Sequence, residues 1–182
     1  MYLKAELSWN VVVPAEQVYG ERLLLQRSIM LQLLEDFSNR KGNSDYGYFL
    51  APTVLERIGD GKIRQDSGDV LFPVVFNCIT FRPFKGEILC GVVNKVMKYG
   101  VILSCGPIPQ VFISVRKMGD YHHFHGEKQV FQNDKDSKIE MDVQVRFKVL
   151  GGKWIETESQ YHVLGTLEGD YLGPIFRGES KF

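Results

Sequence analysis

Apolar and polar residues alternate along several stretches of the chain, a pattern that is typical of β-strands. Residues 2–13 alternate in this way, so we expect a first strand that Pro14 ends. Residues 70–80 are apolar at nearly every position, which is typical of a strand covered on both faces. Residues 139–149 alternate most strictly, with an apolar residue at every odd position. The pattern therefore predicts a chain dominated by β-structure.

One long helix is predicted between residues 20 and 41. Its apolar residues spread over more than half of the helix circumference, and the narrow polar side carries Glu21, Ser28, Gln32 and Glu35. Arg40 and Lys41 would lie in the last turn, with Gly42 beyond it, as the helix dipole and the C-cap favour. Two interpretations of the wide apolar arc are open. Either the helix is sunk in its own domain, or part of the arc meets another protein chain.

The stretch after the helix predicts a second strand region over residues 45–58, interrupted at Ala51-Pro52. Gly59-Asp60-Gly61 then predicts a tight turn, because paired glycines with an aspartate allow positive φ. The apolar residues around this turn are flanked by Arg57, Lys62 and Arg64. The pattern is consistent with an apolar tip rimmed by cations that inserts into a partner, and the alternative is an ordinary hairpin turn.

The second half of the chain carries short strands at regular spacing. We expect them at residues 86–96, 101–103, 111–114, 139–149 and 161–167, with a turn at 97–100, a loop at 106–109 and a polar insert at 116–137. This spacing predicts a five-stranded Greek-key barrel. The segment Phe81–Glu87, with a rigid Arg82-Pro83 at its centre, is expected to join two domains, residues 1–80 and residues 81–182.

The amino-acid composition limits the kinds of partner and compartment that we expect for the chain. The 22 Lys and Arg residues balance the 22 Asp and Glu residues, so any contact with nucleic acid must be local and modest in affinity. The three cysteines show no C-x-x-C spacing, which argues against a disulfide framework or a zinc site and favours a reducing, intracellular compartment. No apolar run approaches about 18 residues and no leader pattern opens the chain, so we expect neither secretion nor a membrane partner.

No motif in the sequence points to catalysis, because scattered Ser, Asp and His residues occur in any chain of this length. His122, His123 and His125 lie in the polar insert without a cysteine or a clear carboxylate partner. We weigh a metal-dependent enzyme against a solvated loop tip, and expect the loop tip, no cofactor and no bound metal. No phosphate-binding loop, nucleophile elbow or dinucleotide fingerprint occurs, so an enzyme has no positive support.

A nucleic-acid surface is the remaining candidate site. On barrels of this type the second and third strands often carry aromatic residues that stack on bases and cations that meet phosphates. The residues that fit are Lys98, Tyr99, Phe112 and Arg116. Two interpretations are open here as well, because Tyr99 would equally pack at its turn and Phe112 would equally fill the barrel core.

Several motifs, taken in order and spacing, resemble one known family. They are Tyr46-Gly47-Tyr48, Thr53–Ile63, Phe72-Pro73-Val74, Phe81–Glu87, Phe112-Ile113-Ser114 and Asp170–Pro174. Over nearly its whole length the chain resembles the family formed by the seventh subunit of RNA polymerase II and its counterpart in archaeal RNA polymerases. Pro14-Ala15-Glu16, Leu25-Gln26-Arg27 and Phe72–Asn77 look more like the plant polymerase IV and V variants.

The resemblance implies an α+β protein with an N-terminal RNP-like α/β domain and a C-terminal OB-fold β-barrel. It implies a non-catalytic stalk subunit in the nucleus that pairs with a fourth-type polymerase subunit and contacts the largest subunits near the base of the clamp. The expected docking residues are Leu55, Ile58, Gly59, Asp60, Gly61, Lys62 and Ile63. The barrel is expected to contact nascent RNA weakly. The alternative is a free-standing OB-fold RNA-binding protein without a polymerase role.

Overall fold

The computed structural model describes residues 1–18, 22–125 and 129–175, which form two compact units. One unit is Tyr2–Arg82, and the other is Pro83–Phe182 together with Met1. Within the described residues, no helix has the length and the apolar run that a membrane span needs.

The first unit is an antiparallel sheet with helices on one face. Its elements are β1 (Tyr2–Val13), α1 (Ala15–Val18), α2 (Arg22–Asn39), β2 (Gly42–Asn43), β3 (Gly47–Ile58), β4 (Lys62–Ile63) and β5 (Val70–Phe81). The sheet order is β1-β5-β3-β2, and β4 also pairs with β5. The prediction of a first strand over residues 2–13 is confirmed.

The core of this unit lies between the sheet and α2. It contains alternate residues of β1 and β5 and the inner face of α2, with Val11, Val13, Ile29, Leu33, Val74, Phe76 and Cys78 at zero exposure. The expectation that β5 is covered on both faces is confirmed only in part. On the second face Asn77 and Phe81 are buried, whereas Leu71, Pro73 and Val75 are half-buried and Ile79 is exposed, because α2 packs against the first face.

The predicted helix over residues 20–41 ends earlier than expected. α2 stops at Asn39, so its last turn holds no basic residue, and Arg40 and Lys41 lie beyond it. The guanidinium of Arg40 instead lies 4.4 Å from the centroid of the Trp9 ring. A cation–π contact to β1 therefore takes the place of the expected contact with the helix end.

Strand β3 is continuous through Ala51-Pro52, so the predicted interruption is wrong. Its register with β5 shifts at three points, one of them between Pro52 and Val54. β2 pairs with β3 only at Gly47 and Tyr48, which leaves the rest of β3 at the sheet edge. A proline is tolerated on an edge strand because its missing N–H removes no hydrogen bond when it faces away from the neighbouring strand.

The predicted tight turn at Gly59-Asp60-Gly61 is also wrong. Neither glycine has a positive φ. Lys62 and Ile63 pair with Leu71 and Val70 of β5, so β4 continues the line of β3 along the same edge of β5. The chain reverses later, within residues 64–69, where the N–H of Arg64 donates to the carbonyl of Asp69 over 2.8 Å.

The second unit is built on a closed five-stranded barrel, as predicted. Its elements are β6 (Ile88–Met97), β7 (Gly100–Cys105), β8 (Ile108–Ser114), a 3₁₀ turn (Val115–Lys117), β9 (His122–His125), β10 (Gln129–Gln132), β11 (Lys138–Ile139), β12 (Gln144–Ile155), β13 (Gln160–Thr166) and β14 (Gly173–Pro174). The strands pair in the closed order β6-β7-β8-β13-β12-β6, with β8 and β13 parallel.

Three expectations for this unit need correction. The polar insert carries the three-stranded sheet β9-β10-β11, because Phe131 and Ile139 supply buried apolar positions that a short sheet can share. The strand expected over residues 139–149 breaks at Asp142, whose φ of +66° forms a turn, and resumes as β12. The loop expected at 106–109 is shorter, since Ile108 and Pro109 belong to β8.

Candidate docking segment and nucleic-acid interface

The docking segment, residues 55–63, is held against β5 by close backbone approach. The N–H of Gly59 donates to the carbonyl of Pro73 over 2.7 Å. A Cβ added at Gly61 would lie 2.6 Å from the Phe72 ring and 2.6 Å from Val70. The two glycines are therefore needed for space beside β5, and not for the turn geometry that the sequence predicts.

The segment divides into half-buried and exposed side chains. Leu55 and Ile58 pack against the core of the first unit. Asp60 and Lys62 are exposed, and Ile63 has 73% of its surface accessible. The exposed part is thus one isoleucine between charged residues, just before the reversal at residues 64–69 that joins β4 to β5, and not a turn at Gly59-Asp60-Gly61.

A cleft of about 480 Å³ opens beside the docking segment, in the same unit. Its walls come from α2, from β3, from residues 59–61 and from β5, and they include Leu25, Gln26, Ile29, Leu55, Ile58 and Phe72. The sequence predicts no role for α2 here. The Leu25-Gln26 pair lies far from Leu55 along the chain, and only the packing of α2 on the sheet brings them together.

The outer face of α2 decides between the two interpretations of the wide apolar arc. Leu24, Leu31 and Leu34 are 54%, 57% and 45% exposed. The interpretation that the whole arc is sunk in its own domain is therefore wrong for the described residues. This outer face carries apolar surface of the kind that marks contact with another protein.

The four predicted nucleic-acid residues lie around the β6–β7 turn. Lys98 and Tyr99 form the turn, and the Tyr99 carbonyl accepts from the N–H of Val115 over 3.0 Å, next to Arg116. The ring centroids of Tyr99 and Phe112 are 6.3 Å apart. This backbone hydrogen bond connects the β6–β7 turn to the 3₁₀ turn that carries Arg116. The rings of Tyr99 and Phe112 lie side by side.

Phe112 lies on the outside of the barrel, so the interpretation that it fills the core is wrong. Its neighbours Val111 and Ile113 are fully buried, whereas Phe112 is half-buried. Its ring lies over the backbone of Gly100, since a Cβ added there would lie 2.9 Å from the Phe112 Cε2 atom. Tyr99 stands at its turn with 55% of its surface accessible. Tyr99 is therefore open to stacking, and Phe112 offers the part of its ring that Gly100 does not cover.

A groove of about 580 Å³ extends from Phe112 over the outer surface of the barrel. Its lining comes from β7, β8, β12 and β13, and consists of Ile102, Gln110, Phe112, Gly151, Gly152, Lys153, Ile155, His162, Val163 and Leu164. Sequence reasoning identifies only Phe112 of this set. The available signal is the Gly151-Gly152 pair within a long strand, which marks a bulge or a close approach.

A histidine–carboxylate hydrogen bond stands at the edge of the groove. The Nε2 atom of His162 lies 2.7 Å from a carboxylate oxygen of Glu158, which also accepts from Gln160. The hydrogen bond from His162, followed by that from Gln160, holds the pKa of the Glu158 carboxyl below its usual value. Glu158 therefore stays ionised at neutral pH.

The histidine cluster lies on a strand and not at a loop tip. His122 and His123 belong to β9, and the His123 ring packs 5.1 Å from the Phe131 ring. The side chain of His125 lies outside the described residues. Across residues 1–18, 22–125 and 129–175 there is no group of three or more His, Cys, Asp or Glu residues arranged to hold a metal ion.

Two of the comparisons with known proteins do not identify a family. No protein-family profile matches. A crystal structure described provisionally as an exosome complex RNA-binding protein is similar at a TM-score of 0.37 and 22% identity, over 54% of this chain and 51% of that one. A similarity that low carries no argument about fold or function.

Curated relatives are much more similar. The Arabidopsis thaliana DNA-directed RNA polymerase V subunit 7 is 49% identical, over 96% of this chain and 98% of that protein. The polymerase IV subunit 7 of the same plant is 46% identical over 96% of this chain and 100% of that protein. The polymerase II subunit RPB7 of Glycine max is 37% identical over 83% of this chain and 85% of that protein. Identity at this level over nearly the full length shows that the chain belongs to the subunit 7 family of DNA-directed RNA polymerases.

Proposed function

We propose that this protein is a non-catalytic stalk subunit of a multisubunit DNA-dependent RNA polymerase, acting in the nucleus. It pairs with a fourth-type subunit, docks on the polymerase core near the base of the clamp, and contacts nascent RNA near the exit path. The observation that carries the proposal is the 49% identity to a polymerase V subunit 7 over 96% of the chain.

The architecture supports the finer description of the two units. An antiparallel sheet with a long helix on one face agrees with an RNP-like α/β domain over residues 1–80. The second unit closes as a five-stranded Greek-key barrel in which β8 and β13 are parallel. That closure agrees with an OB-fold domain over residues 81–182.

The docking role rests on Leu55, Ile58, Gly59, Asp60, Gly61, Lys62 and Ile63. Their backbone is fixed along β5, so the exposed side chains are presented on a rigid sheet edge at little entropic cost on binding. Ile63 is an exposed apolar residue beside Lys62 and Arg64, the combination that an apolar pocket with an acidic rim would accept. The nearby cleft adds a concave surface of mixed polar and apolar character, with Glu56, Arg57 and Asp60 beside the apolar residues.

Pairing with a fourth-type subunit agrees with the apolar surface left open in the first unit. The outer face of α2 exposes Leu24, Leu31 and Leu34, and the second face of β5 is only half covered. Surface of this kind in a stable protein is commonly covered by a partner chain.

Contact with nascent RNA rests on Lys98, Tyr99, Phe112 and Arg116. Two aromatic rings stand side by side on the barrel surface, and two exposed cations flank them. Bases stack on aromatic side chains and phosphates meet cations in sequence-tolerant RNA binding. With so few cations, the affinity is expected to be weak and to depend on the polymerase for localisation.

The docking proposal is tested by changing exposed side chains and leaving the backbone bonds to β5 intact. The triple variant Asp60→Ala, Lys62→Ala, Ile63→Ser is expected to lose the two largest polymerase subunits in a mild pull-down of the tagged chain from nuclear extract. The reason is that these side chains form the exposed part of the docking segment. The measurement is the stoichiometry of the co-purified subunits by mass spectrometry.

A matched control variant carries substitutions of the same three residue types in the second unit. The variant Lys138→Ala, Glu140→Ala, Met141→Ser removes one base, one acid and one exposed apolar residue from the second unit. It is expected to recover the polymerase at the wild-type level. Full recovery with the docking variant would overturn the docking assignment. Recovery of RNA and RNA-binding proteins without polymerase from the wild-type chain would favour the free-standing alternative.

A further inference from the structure

The two long edge strands of the sheet in the first unit differ in how well they are protected. β3 contains Pro52 and shifts its register against β5 three times, features that keep an edge strand from pairing with another chain. β1 contains no proline, and its twelve residues pair with β5 in one unbroken register. Within residues 1–18, 22–125 and 129–175, β5 is the one strand that pairs with β1. The outer edge of β1 is therefore long, regular and open.

Two contacts of β5 show which backbone groups of β1 point away from the sheet. The carbonyl of Pro73 accepts from the N–H of Gly59 over 2.7 Å, and the carbonyl of Asn77 accepts from a threonine hydroxyl of β3 over 3.1 Å. Both carbonyls thus face β3. In an antiparallel ladder a residue directs its N–H and C=O to the same side. The β1 partners of these two residues, Asn10 and Glu6, therefore direct their own N–H and C=O outwards.

The outward backbone groups belong to the even-numbered residues of β1, because the side alternates along a strand whose register does not shift. The side chains of the even residues from 2 to 10 are exposed. A strand that lies antiparallel along this edge forms hydrogen bonds only where its own outward residues meet these. Two copies of β1 must therefore pair even residues with even residues.

Charge selects one register among these. Lys4 and Glu6 are the two charged residues of β1, and both are exposed. A two-fold axis at Ala5 sets Lys4 of each copy directly opposite Glu6 of the other. An axis at Lys4 or at Glu6 would set like charges opposite each other, which is destabilising. Ala5 would form the close, non-hydrogen-bonded pair at the axis, where its small side chain lets the two backbones approach.

We propose that β1 forms a symmetric antiparallel pair with β1 of a second copy of the chain, with the two-fold axis at Ala5. The hydrogen-bonded pairs are Tyr2 with Ser8 and Lys4 with Glu6, each occurring on either side of the axis, which gives about eight backbone hydrogen bonds at two per pair. The contact closes as a dimer, because the same edge serves both copies. One strand per copy makes a small interface, so the dimer is weak and depends on concentration.

The proposal goes beyond the proposed function, because it concerns the chain when it is free of the polymerase. It uses neither the docking segment nor the outer face of α2. A long open edge is a site of uncontrolled strand pairing, and pairing with a second copy covers it.

The test measures self-association of the full chain by sedimentation equilibrium at a series of concentrations. The wild type is expected to show a monomer–dimer equilibrium. Lys4→Glu and Glu6→Lys each set like charges opposite each other on both sides of the axis, so each is expected to weaken dimerisation about tenfold or more. The matched control is Lys148→Glu, which reverses an exposed lysine on β12 of the second unit. It is expected to dimerise like the wild type.

Mixing the two variants tests the register directly. Lys4→Glu carries two acids at the paired positions and Glu6→Lys carries two bases, so each variant complements the other and repels itself. A tagged Lys4→Glu chain is expected to capture an untagged Glu6→Lys chain, and not an untagged Lys4→Glu chain. The double variant Lys4→Glu, Glu6→Lys is expected to dimerise like the wild type, because both pairs are restored with reversed sign.

Three results would overturn the proposal. They are a wild-type chain that stays monomeric at every concentration, a dimer that tolerates both charge reversals, and species larger than a dimer. Thermal unfolding of Lys4→Glu and Glu6→Lys is expected at the wild-type temperature, because both side chains are exposed. A folded double variant that does not dimerise would also contradict the register at Ala5.

Discussion

The three cysteines differ in solvent exposure, and they are therefore expected to differ in thiol reactivity. Cys90 is exposed on β6, whereas Cys78 and Cys105 are buried. Burial, reinforced by the nearby Cys90, raises the pKa of the Cys105 thiol to about 11, and burial also raises the pKa of Cys78. Since the thiolate is the reactive form, one thiol per native chain is expected to react rapidly with a disulfide reagent at pH 8, and three after denaturation.

Cys90→Ser provides the control for this thiol count. It is expected to abolish the fast phase in the native chain and to leave two thiols after denaturation, because only the buried pair is left. A second fast-reacting thiol in the native wild-type chain would show that one of the buried cysteines is accessible in solution, in contradiction to the packing described.

At the scale of elements, the line formed by β3 and β4 along β5 depends on Gly61. Its Cβ position lies 2.6 Å from Phe72 and from Val70, both buried. Gly61→Val is therefore expected to push β4 away from β5 and to lower the free energy of unfolding by about 1–3 kcal/mol, the usual cost of overpacking. Chemical denaturation followed by far-UV circular dichroism measures the change.

The neighbouring residue offers the control. Lys62 is exposed, so Lys62→Ala is expected to change the free energy of unfolding by no more than about 0.5 kcal/mol. Equal stability of Gly61→Val and the wild type would mean that the docking segment is not packed against β5 and forms the hairpin turn that the sequence suggests.

Local sequence patterns predict the individual strands of this chain. The pairing between distant strands determines where each strand lies and which of its residues face the core. The alternation over residues 2–13 predicts β1 correctly, because every second residue faces the core. No local pattern tells whether the chain after Ile58 turns back on β3 or continues along β5, since β5 lies later in the sequence. Val111-Phe112-Ile113 are all apolar, so no alternation shows which of them faces the core, and only the barrel shows that Phe112 faces outwards.

At the scale of the whole molecule, the balance of charge limits what the barrel surface can do. The net charge is zero, from 22 basic and 22 acidic residues. In the proposed RNA contact, attraction to phosphates comes from a few local cations. We therefore expect weak binding by the isolated chain, and under the proposed function the polymerase raises the effective concentration of the transcript at the barrel.

The salt dependence of RNA binding follows from this limited number of cations. Each phosphate contact with a single strand contributes a slope of about −0.7 to the logarithm of affinity against the logarithm of salt concentration, so about two contacts, through Lys98 and Arg116, predict a slope of about −1.4. The affinity of the full chain for a fluorescein-labelled 12-nucleotide oligouridine, measured by fluorescence anisotropy, is expected to fall about sevenfold between about 50 and 200 mM salt. The double variant Lys98→Ala, Arg116→Ala should flatten the slope and leave the salt-independent part to the aromatic pair. A slope steeper than about −4 would instead require a longer row of cations than these residues form, and would contradict an RNA contact limited to Lys98 and Arg116.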